Sequence, residues 1–481
     1  MQFRDAAIVQ GQMMSHTHNG MPTFAESGNP LVDLFAAIGS SRGKDLRQQF
    51  DAAYGHDRVK AMKILLWARD IRSGAGERRI VRELLQHLEA THAEDAEQLV
   101  PYLPVFGRWD DLLVFQTLRL REQAFALIAK GLNDPATAGL TAKWMPRKGH
   151  LALALEQFLG LTPSAAGFEC VNGYPGKPYR RMLVSLTNAV EQQMCAREWE
   201  QIIFDHVPSL AAARYQKAFT RRCTERYAAY RAKLVTGEAK INAAAVYPYD
   251  VIKSIGRGVS DVAKAQWEAL PNYLGDEQLL AMVDVSGSMM SGVGQSRMLS
   301  CLDVATSIGL YIADKARGPF KDTFLTFSGS PKIEVLEGDI IAKHAQMCRS
   351  HWTMNTNLHA AFMEILHLAR VHRISDADMP KILLILSDME FDACVTDGSK
   401  TALAMAQRMY ADHGYTMPRV VYWTLNARSG NSPVRHHESG TALVSGFSPA
   451  IMKSILAAQD FSPEGVMEQT IGNPRYDVID R

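Results

Sequence analysis

The sequence of 481 residues lacks several features that define common classes of protein. No run of about 18 apolar residues occurs, which argues against a membrane span. The first 29 residues lack the basic and then apolar order of a secretory signal. The six cysteines form no CxxC pair and have no histidine at zinc-finger spacing. We therefore expect reduced thiols, mostly buried as small hydrophobic side chains, in a cytoplasmic protein.

Motifs of common catalytic sites are also missing. The chain has no phosphate-binding loop, no GxSxG nucleophile turn and no HExxH metal motif. A metal-dependent nuclease, for which Glu390 and Asp392 are additional acids, is the catalytic alternative. It needs more carboxylates and a second cation. We therefore expect a protein that is not an enzyme.

The net charge of +1 conceals an asymmetry along the chain. Residues 42–234 contain 29 Lys and Arg against 21 Asp and Glu, a surplus of eight positive charges. Residues 275–481 contain 18 against 23, a surplus of five negative charges. The basic part is the candidate for binding a polyanion, although a surplus of this size is modest.

Residues 31–235 show the spacing of helices and no alternation typical of strands, and we place the end of the helical domain at residue 270. In residues 59–72 apolar side chains recur at helical intervals, and residues 73–76 then interrupt the pattern before a second helix. Similar segments, separated by Pro and Gly, continue to about residue 235. Stacked helix pairs of this size predict an α-solenoid of the HEAT type. Residues 1–30 are a polar N-terminal arm that we expect to be poorly ordered.

Near residue 278 the pattern changes to short apolar runs that alternate with helical segments. The runs lie at residues 279–284, 323–327, 332–336, 381–388, 419–424 and 442–445. Near-continuous apolar strands alternating with helices are typical of a parallel α/β sheet. The predicted fold class is therefore α plus α/β, with a helical array up to residue 270 and a doubly wound, mainly parallel sheet in residues 275–481.

Hydroxyl and carboxylate side chains lie where three segments of the predicted sheet end. Asp284, Ser286 and Ser288 follow the first apolar run, Thr356 precedes a helix, and Asp388 ends another run. Ligands of doubly wound sheets bind beyond the carboxyl ends of the strands, so these side chains are expected to converge. Such an oxygen-only set suits one Mg²⁺ or Mn²⁺. The alternative is that the aspartates cap helices and the serines satisfy turns.

The string DVSGSM at residues 284–289, together with Thr356 and Asp388, resembles the metal-ion-dependent adhesion site of von Willebrand factor A domains. The resemblance implies a binding module in which an acidic side chain of a protein partner completes the metal shell. The sequence departs from the family at Met354-Asn355, where many members have two glycines. Glu390 either tunes the site through a water or is a solvated loop residue.

Several strings in the helical part resemble the Ro autoantigen, or TROVE, family, in particular its plant, bacterial and phage relatives. They are RDIRSGAGER at residues 69–78, FGRWDDLL at 106–113, AKWMPR at 142–147, VPS at 207–209 and YPYD at 247–250, with SGFSP at 445–449 in the α/β part. No string is specific alone, but their joint order is. The resemblance runs from about residue 50 to residue 460.

This second resemblance implies a ring of HEAT-like helical repeats closed by a von Willebrand A domain. It also implies an RNA-binding component of a ribonucleoprotein. Single-stranded RNA ends would enter the central hole of the ring, and structured small RNAs would lie on its basic outer surface. No feature of the sequence indicates DNA specificity.

Basic residues beside aromatic ones are the candidate RNA contacts, because phosphates bind Lys and Arg while unstacked bases pack on flat side chains. The turn with Arg147, Lys148 and His150 is the first choice. The other candidates are Lys143, Arg108, Lys177, Arg180 and Arg181.

Each of these basic and aromatic groups has a structural alternative. Trp109 and Trp144 are more often core residues, and Arg108 can pair with Asp110 or Asp111. Other arginines can be ordinary helix surface: Arg69, Arg72, Arg78, Arg79, Arg221, Arg222 and Arg226.

The competing function is a metal-dependent adhesion scaffold that binds proteins and no RNA. RNA binding that weakens steeply with salt and is unaffected by chelation favours the RNA-binding function. Metal-dependent capture of a protein favours the scaffold.

Overall fold

The computed structural model of the chain describes residues 14–41, 44–161, 173–187, 189–239, 241, 243, 246–255, 260–292, 299–350, 357–391, 402–426 and 430–479. These residues form two compact units that interleave along the chain. The first unit comprises the described residues up to 68, residues 72–80 and residues 243–477. The second comprises residues 69–71, residues 81–242 and the residues after 477.

Most of the described part is regular secondary structure. Its strands are β1 (Met14–His16), β2 (Pro22–Phe24), β3 (Leu279–Asp284), β4 (Thr323–Phe327), β5 (Ile333–Val335), β6 (Ile382–Ser387), β7 (Arg419–Thr424) and β8 (Thr441–Ser445). Its α-helices are α1 (Pro30–Ile38), α2 (Arg47–His56), α3 (Arg58–Arg69), α4 (Arg79–Thr91), α5 (Ala93–Leu99), α6 (Leu103–Phe106), α7 (Leu118–Asn133), α8 (Ala138–Trp144), α9 (His150–Phe158), α10 (Lys177–Leu186), α11 (Val190–Ala196), α12 (Ser209–Arg222), α13 (Thr224–Thr236), α14 (Pro248–Ile255), α15 (Ser260–Glu268), α16 (Cys301–Lys315), α17 (Ile340–Met347), α18 (Leu358–His372), α19 (Ala402–Asp412), α20 (Met452–Ala457) and α21 (Pro463–Ile471).

Six strands of the first unit form one sheet in the order β5-β4-β3-β6-β7-β8. Strands β4, β3, β6, β7 and β8 run parallel to one another, and β5 pairs antiparallel to β4 at one edge. The chain leaves β3 toward one edge and continues at β6 on its other side, so these two strands flank the switch point of the sheet. The predicted α/β sheet is confirmed, with an antiparallel edge strand that makes it mixed.

The sheet forms where the apolar runs of the sequence lie. All residues of β3 and β6 are buried. Helix α16 packs on β3 so closely that a Cβ at Gly309 would lie 2.4 Å from Cγ2 of Val283. Runs buried on both faces in this way are typical of parallel sheets, and the strand bounds agree with the predicted runs to within one residue.

The segment of residues 14–30 is ordered, so the expectation of a poorly ordered arm is wrong there. Strands β1 and β2 form an antiparallel hairpin. Phe24 and Ser432 exchange two backbone hydrogen bonds of 2.9 Å. The side chain of Asn29 then caps α1 by accepting from the backbone N of Leu31. The partners that order this polar segment lie about 400 residues away, where sequence periodicity cannot reveal them.

The compact units do not follow the predicted division at residues 30 and 270. Helices α1 and α2 belong to the unit that contains the sheet. Helix α1 packs on β8 and buries Leu34 and Phe35 completely. The helical array is therefore shorter than residues 31–270, because part of that range covers the sheet.

The second unit contains no strand among its described residues, and a buried ionic network joins two of its loops. The guanidinium of Arg69 is 2% exposed and pairs with Asp111, with Nη2 2.6 Å from Oδ2. Arg82 reaches the other oxygen of Asp111 at 2.6 Å, and the backbone N of Ile71 donates to the carbonyl of Phe106. Arg69 is thus neither ordinary helix surface nor available to RNA, since its charge is neutralised inside the unit.

We predict that Gly107→Ala destabilises the protein by about 1–3 kcal/mol, as overpacked sites do. A Cβ at this position would lie 2.2 Å from Oδ2 of Asp111 and 2.6 Å from Nε of Arg69, so the buried pair must separate. Urea unfolding monitored by circular dichroism measures the loss. Gly55→Ala is the matched control, because no atom lies within 4 Å of its added Cβ. Equal unfolding midpoints for Gly107→Ala and wild type would contradict the prediction.

Candidate metal centre and nucleic-acid interface

The first loop of the candidate metal centre leaves the buried end of β3. Asp284 is fully buried, and its Oδ1 accepts a hydrogen bond of 2.9 Å from the backbone N of Ser286. The hydroxyl oxygens of Ser286 and Ser288 lie 2.9 Å apart. A short 3-10 turn at Gly287–Met290 follows, so the carboxylate and both hydroxyls lie within one tight loop.

Strand β6 brings a second carboxylate to this loop. The Ser387 hydroxyl donates to Oδ2 of Asp284 at 2.6 Å, and the next residue, Asp388, is 1% exposed. Burial, and then the charge of Asp388, raise the pKa of Asp284 to about 6. Two buried carboxylates whose charges interact repel each other, so a cation bound between them would be favourable.

The donor chemistry fits a hard cation. Among the residues that the structure describes, no Lys, Arg or His forms an ion pair with Asp284. The same part of the chain holds no group of three His, Cys, Asp or Glu suited to a metal. A cation here would therefore rely on hydroxyls and water beside the two carboxylates, an arrangement that Mg²⁺ accepts.

Four of the five predicted ligands lie at the switch point of the sheet: Asp284, Ser286, Ser288 and Asp388. The fifth, Thr356, lies outside the described residues, as do Met354-Asn355 and Asp392. The position of the second loop therefore stays a prediction.

Glu390 is 3% exposed, so the interpretation as a solvated loop residue is wrong. Its Oε2 accepts a hydrogen bond of 2.7 Å from the backbone N of His18, and its carbonyl accepts one of 2.7 Å from Nδ2 of Asn19. The Thr17 hydroxyl donates to the carbonyl of Phe391 at 2.6 Å. Sequence reasoning missed these three hairpin residues, because no motif links positions more than 370 residues apart.

In the second unit the structure joins two of the predicted basic segments. The Tyr179 hydroxyl donates to the carbonyl of Pro146 at 3.0 Å, and the backbone N of Gly149 donates to the carbonyl of Gly173 at 2.7 Å. Tyr179 is buried on the inner face of α10. Five basic residues of these two segments are exposed, and we name them the basic strip: Lys148, His150, Lys177, Arg180 and Arg181.

Three other predicted RNA contacts are half-buried and engaged with the protein. Nη2 of Arg147 donates at 3.3 Å to both Ala142 O and Thr187 Oγ1, and burial lowers the pKa of its guanidinium. Arg108 pairs with Asp110, as its structural alternative predicted: its Nε lies 2.9 Å from Oδ1 of Asp110. The Arg108 guanidinium also lies 3.6 Å above the Trp144 ring, and Lys143 Nζ is 5.9 Å from that ring.

A groove of about 440 Å³ in the second unit is lined by Lys143, another of the predicted RNA contacts. Lys143, Gln193 and His206 contribute polar groups to its lining. Leu140 and Ile203, each more than half exposed, contribute apolar surface. The groove therefore combines apolar walls with hydrogen-bonding groups, and Glu191 adds an acidic side chain to its lining.

Two family models match the chain and divide it at β3. A Domain of unknown function (DUF7788) matches residues 278–475. A second Domain of unknown function (DUF2828) matches residues 17–147 and 176–284, just under half of the chain. An uncharacterized protein of Acanthamoeba polyphaga mimivirus is 26% identical, over 96% of this chain and 89% of the viral protein. The viral protein thus matches both units together.

Among solved structures, the chain is similar to the crystal structure of the Ro (RSR) protein of Deinococcus radiodurans. That similarity has a TM-score of 0.34 at 18% identity and covers 92% of this chain and 87% of that one. No helix of the described residues is long and apolar enough to cross a membrane.

Proposed function

We propose that this protein is a non-catalytic RNA-binding protein of the Ro-like kind, a component of a ribonucleoprotein. Its second unit holds single-stranded or structured small RNA. The observation that carries the proposal is the basic strip, five exposed basic residues in two segments that the Tyr179–Pro146 hydrogen bond joins. The family resemblance of the strings at residues 69–78, 106–113 and 142–147 supports it independently.

The basic strip supplies the positive charge that phosphates require. The groove, which lies in the same unit, would accept an unstacked base. Lys148, Lys177, Arg180 and Arg181 would contact phosphate oxygens, which carry no sequence information. Lys143, another of the predicted RNA contacts, lines the groove itself. Binding should therefore depend on salt and tolerate changes of RNA sequence.

In the first unit we propose one Mg²⁺ or Mn²⁺ at the switch point of the sheet. Asp284, Ser286, Ser288 and Asp388 would hold it, together with Thr356. The cation, when bound, offers a coordination position to an acidic side chain of a protein partner. Met290, 67% exposed in the same loop, would add apolar contact to that partner.

The same exposed Met290 favours the competing function, a metal-dependent adhesion scaffold without RNA. The two functions differ in what depends on the cation. A scaffold loses its partner on chelation and has no affinity for RNA. An RNA-binding protein retains RNA on chelation and releases it as salt rises.

We expect a short, fluorescent single-stranded RNA of mixed sequence to bind with a Kd of about 1 µM or lower at low ionic strength, and binding to weaken at least tenfold between about 50 and 200 mM salt. Fluorescence anisotropy, repeated with EDTA, measures both effects, and EDTA should change the Kd less than twofold. The absence of salt-sensitive binding to wild-type protein would sink the RNA proposal. Loss of RNA on chelation would show that the first unit contributes to binding.

A further inference from the structure

The hairpin of β1 and β2 contacts the loop that carries a proposed metal ligand. Thr17, His18 and Asn19 form the turn of the hairpin, and each makes one hydrogen bond to Glu390 or Phe391. The three bonds are between 2.6 and 2.7 Å long, and the Thr17 contact is buried. The turn is therefore held at the two residues that follow the Asp388-Met389 pair.

The loop itself is tight, so a displacement of Glu390 would reach the carboxylates. Met389 has a φ of 65°, in the left-handed region that residues other than glycine rarely adopt. Its backbone N donates to the Ser387 hydroxyl at 3.0 Å, and that hydroxyl donates in turn to Asp284. The backbone N of Glu390 lies 3.4 Å from Oδ1 of Asp388. These hydrogen bonds, together with the backbone of residues 387–391, connect the hairpin with both proposed metal-binding carboxylates.

A second set of hairpin contacts goes to a different loop. Phe24 pairs with Ser432 through the backbone, and the Ser15 hydroxyl donates to Oδ1 of Asn431 at 3.2 Å. This loop follows β7 and carries no proposed metal ligand. The turn of the hairpin therefore contacts the metal loop, and its strands contact a second loop, which we call the reference loop. Contacts to the reference loop serve as the comparison for contacts to the metal loop.

We propose that docking of the hairpin turn and binding of the divalent cation are coupled, the hairpin acting as a positioning element for the Asp388 loop. The inference rests on the metal site proposed above. A cation fixes the Asp388 carboxylate and the short loop behind it, and the fixed loop presents Glu390 and Phe391 to the turn. Coupling of this kind is reciprocal, so a docked hairpin must raise cation affinity by the factor by which the cation stabilises docking.

Hydrogen exchange of wild-type protein, resolved to single residues by mass spectrometry, tests the first direction. Saturating Mn²⁺ should slow exchange of the His18 amide, which donates to Glu390, by about fivefold or more. The exchange rate of the Phe24 amide, which donates to Ser432, should change less than the exchange rate of the His18 amide. Equal exchange of the His18 amide with and without bound Mn²⁺ would overturn the coupling.

The Mn²⁺ affinity of variants, measured by calorimetry, tests the reverse direction. Thr17→Val combined with Asn19→Ala removes two bonds to the metal loop, together with the bond inside the turn from the backbone N of Met21 to the Thr17 hydroxyl. Every proposed ligand stays intact, and the affinity should fall about fivefold or more. Ser15→Ala, which removes one bond to the reference loop, is the matched control and should bind as wild type does.

The outcomes separate the coupling from the site on which it rests. Wild-type Mn²⁺ binding with an unchanged affinity in the double variant overturns the coupling and leaves the metal site standing. An equal loss in Ser15→Ala and in the double variant also overturns it, because general loosening of the hairpin would then explain the effect. Failure of the wild-type protein to bind Mn²⁺ overturns the metal site and the coupling together.

Discussion

Asp284→Asn is expected to abolish divalent cation binding and to stabilise the metal-free protein. The substitution removes one of two buried carboxylates, and loss of such a ligand should lower Mn²⁺ affinity at least about 100-fold. It also removes a charge that is fully buried beside Asp388. A pKa raised from 3.8 to about 6 corresponds to roughly 3 kcal/mol of unfavourable free energy at pH 7. The variant should therefore melt a few degrees higher in EDTA.

The pH dependence has a definite sign. The folded state holds a proton on Asp284 up to about pH 6, whereas the unfolded chain releases it near 3.8. Metal-free wild-type protein should therefore lose stability from this group as the pH rises from about 4 to about 7. The stability of Asp284→Asn should not show this contribution to the loss with rising pH. Excess Mg²⁺ should reverse the order of stability, since it binds the folded wild-type protein and not the variant.

Calorimetry for Mn²⁺ and melting curves in EDTA and in Mg²⁺ measure these effects. Asp250→Asn is the matched control, because burial raises the pKa of Asp250 to about 6 as well, outside the metal loops. The control should gain stability in EDTA and retain full Mn²⁺ affinity. Undiminished Mn²⁺ binding by Asp284→Asn would remove this aspartate from the site. A lower melting temperature in EDTA would show that its hydrogen bonds outweigh the repulsion.

Replacing Lys148, Arg180 and Arg181 together by alanine is expected to weaken RNA binding by roughly 50-fold at physiological salt, on the basis of three lost phosphate contacts. The slope of log K against log salt should become shallower by about two units, because each contact to single-stranded RNA contributes about 0.7. All RNA sequences should be affected alike, since phosphate contacts do not distinguish bases. Arg147 is left in place because its side chain bonds to Thr187 and Ala142.

Anisotropy titrations at several salt concentrations measure both quantities. Lys217→Ala combined with Arg221→Ala and Arg222→Ala is the matched control, since it removes the same charge from another exposed face of the second unit. A shift of similar size in both triple variants would mean that net charge alone governs binding. Binding that is lost only in the control would move the interface to α12.

The sheet was predictable because its strands are buried on both faces and therefore appear as apolar runs. The ends of β3 and β6 could be recognised for the same reason, and Asp284 and Asp388 lie there. The buried Arg69–Asp111 pair and the docking of Glu390 could not be predicted. In both cases a charged residue becomes buried through a partner distant in sequence.

The basic segments also show which features the sequence reveals and which depend on tertiary packing. Arg147 and Arg180 have similar neighbours in the sequence, because each is directly followed by another basic residue. Only tertiary packing decides that Arg147 turns inward to Thr187 while Arg180 is exposed on α10. Composition therefore indicated a region for the proposed interface, whereas tertiary packing determines which of its basic residues are exposed.

The interleaving of the two units has a consequence for synthesis of the chain. Gly39, just after α1, donates its backbone N to the hydroxyl of Ser445 in β8, 406 residues later. Helix α1 therefore leaves the ribosome long before the strand on which it packs, and the loop between them must close at an entropic cost. Residues 81–242 are complete much earlier and can fold while translation continues. Until β8 emerges, the apolar face of α1 with Leu34 and Phe35 has no sheet to cover it, so this nascent segment is a natural client for a chaperone.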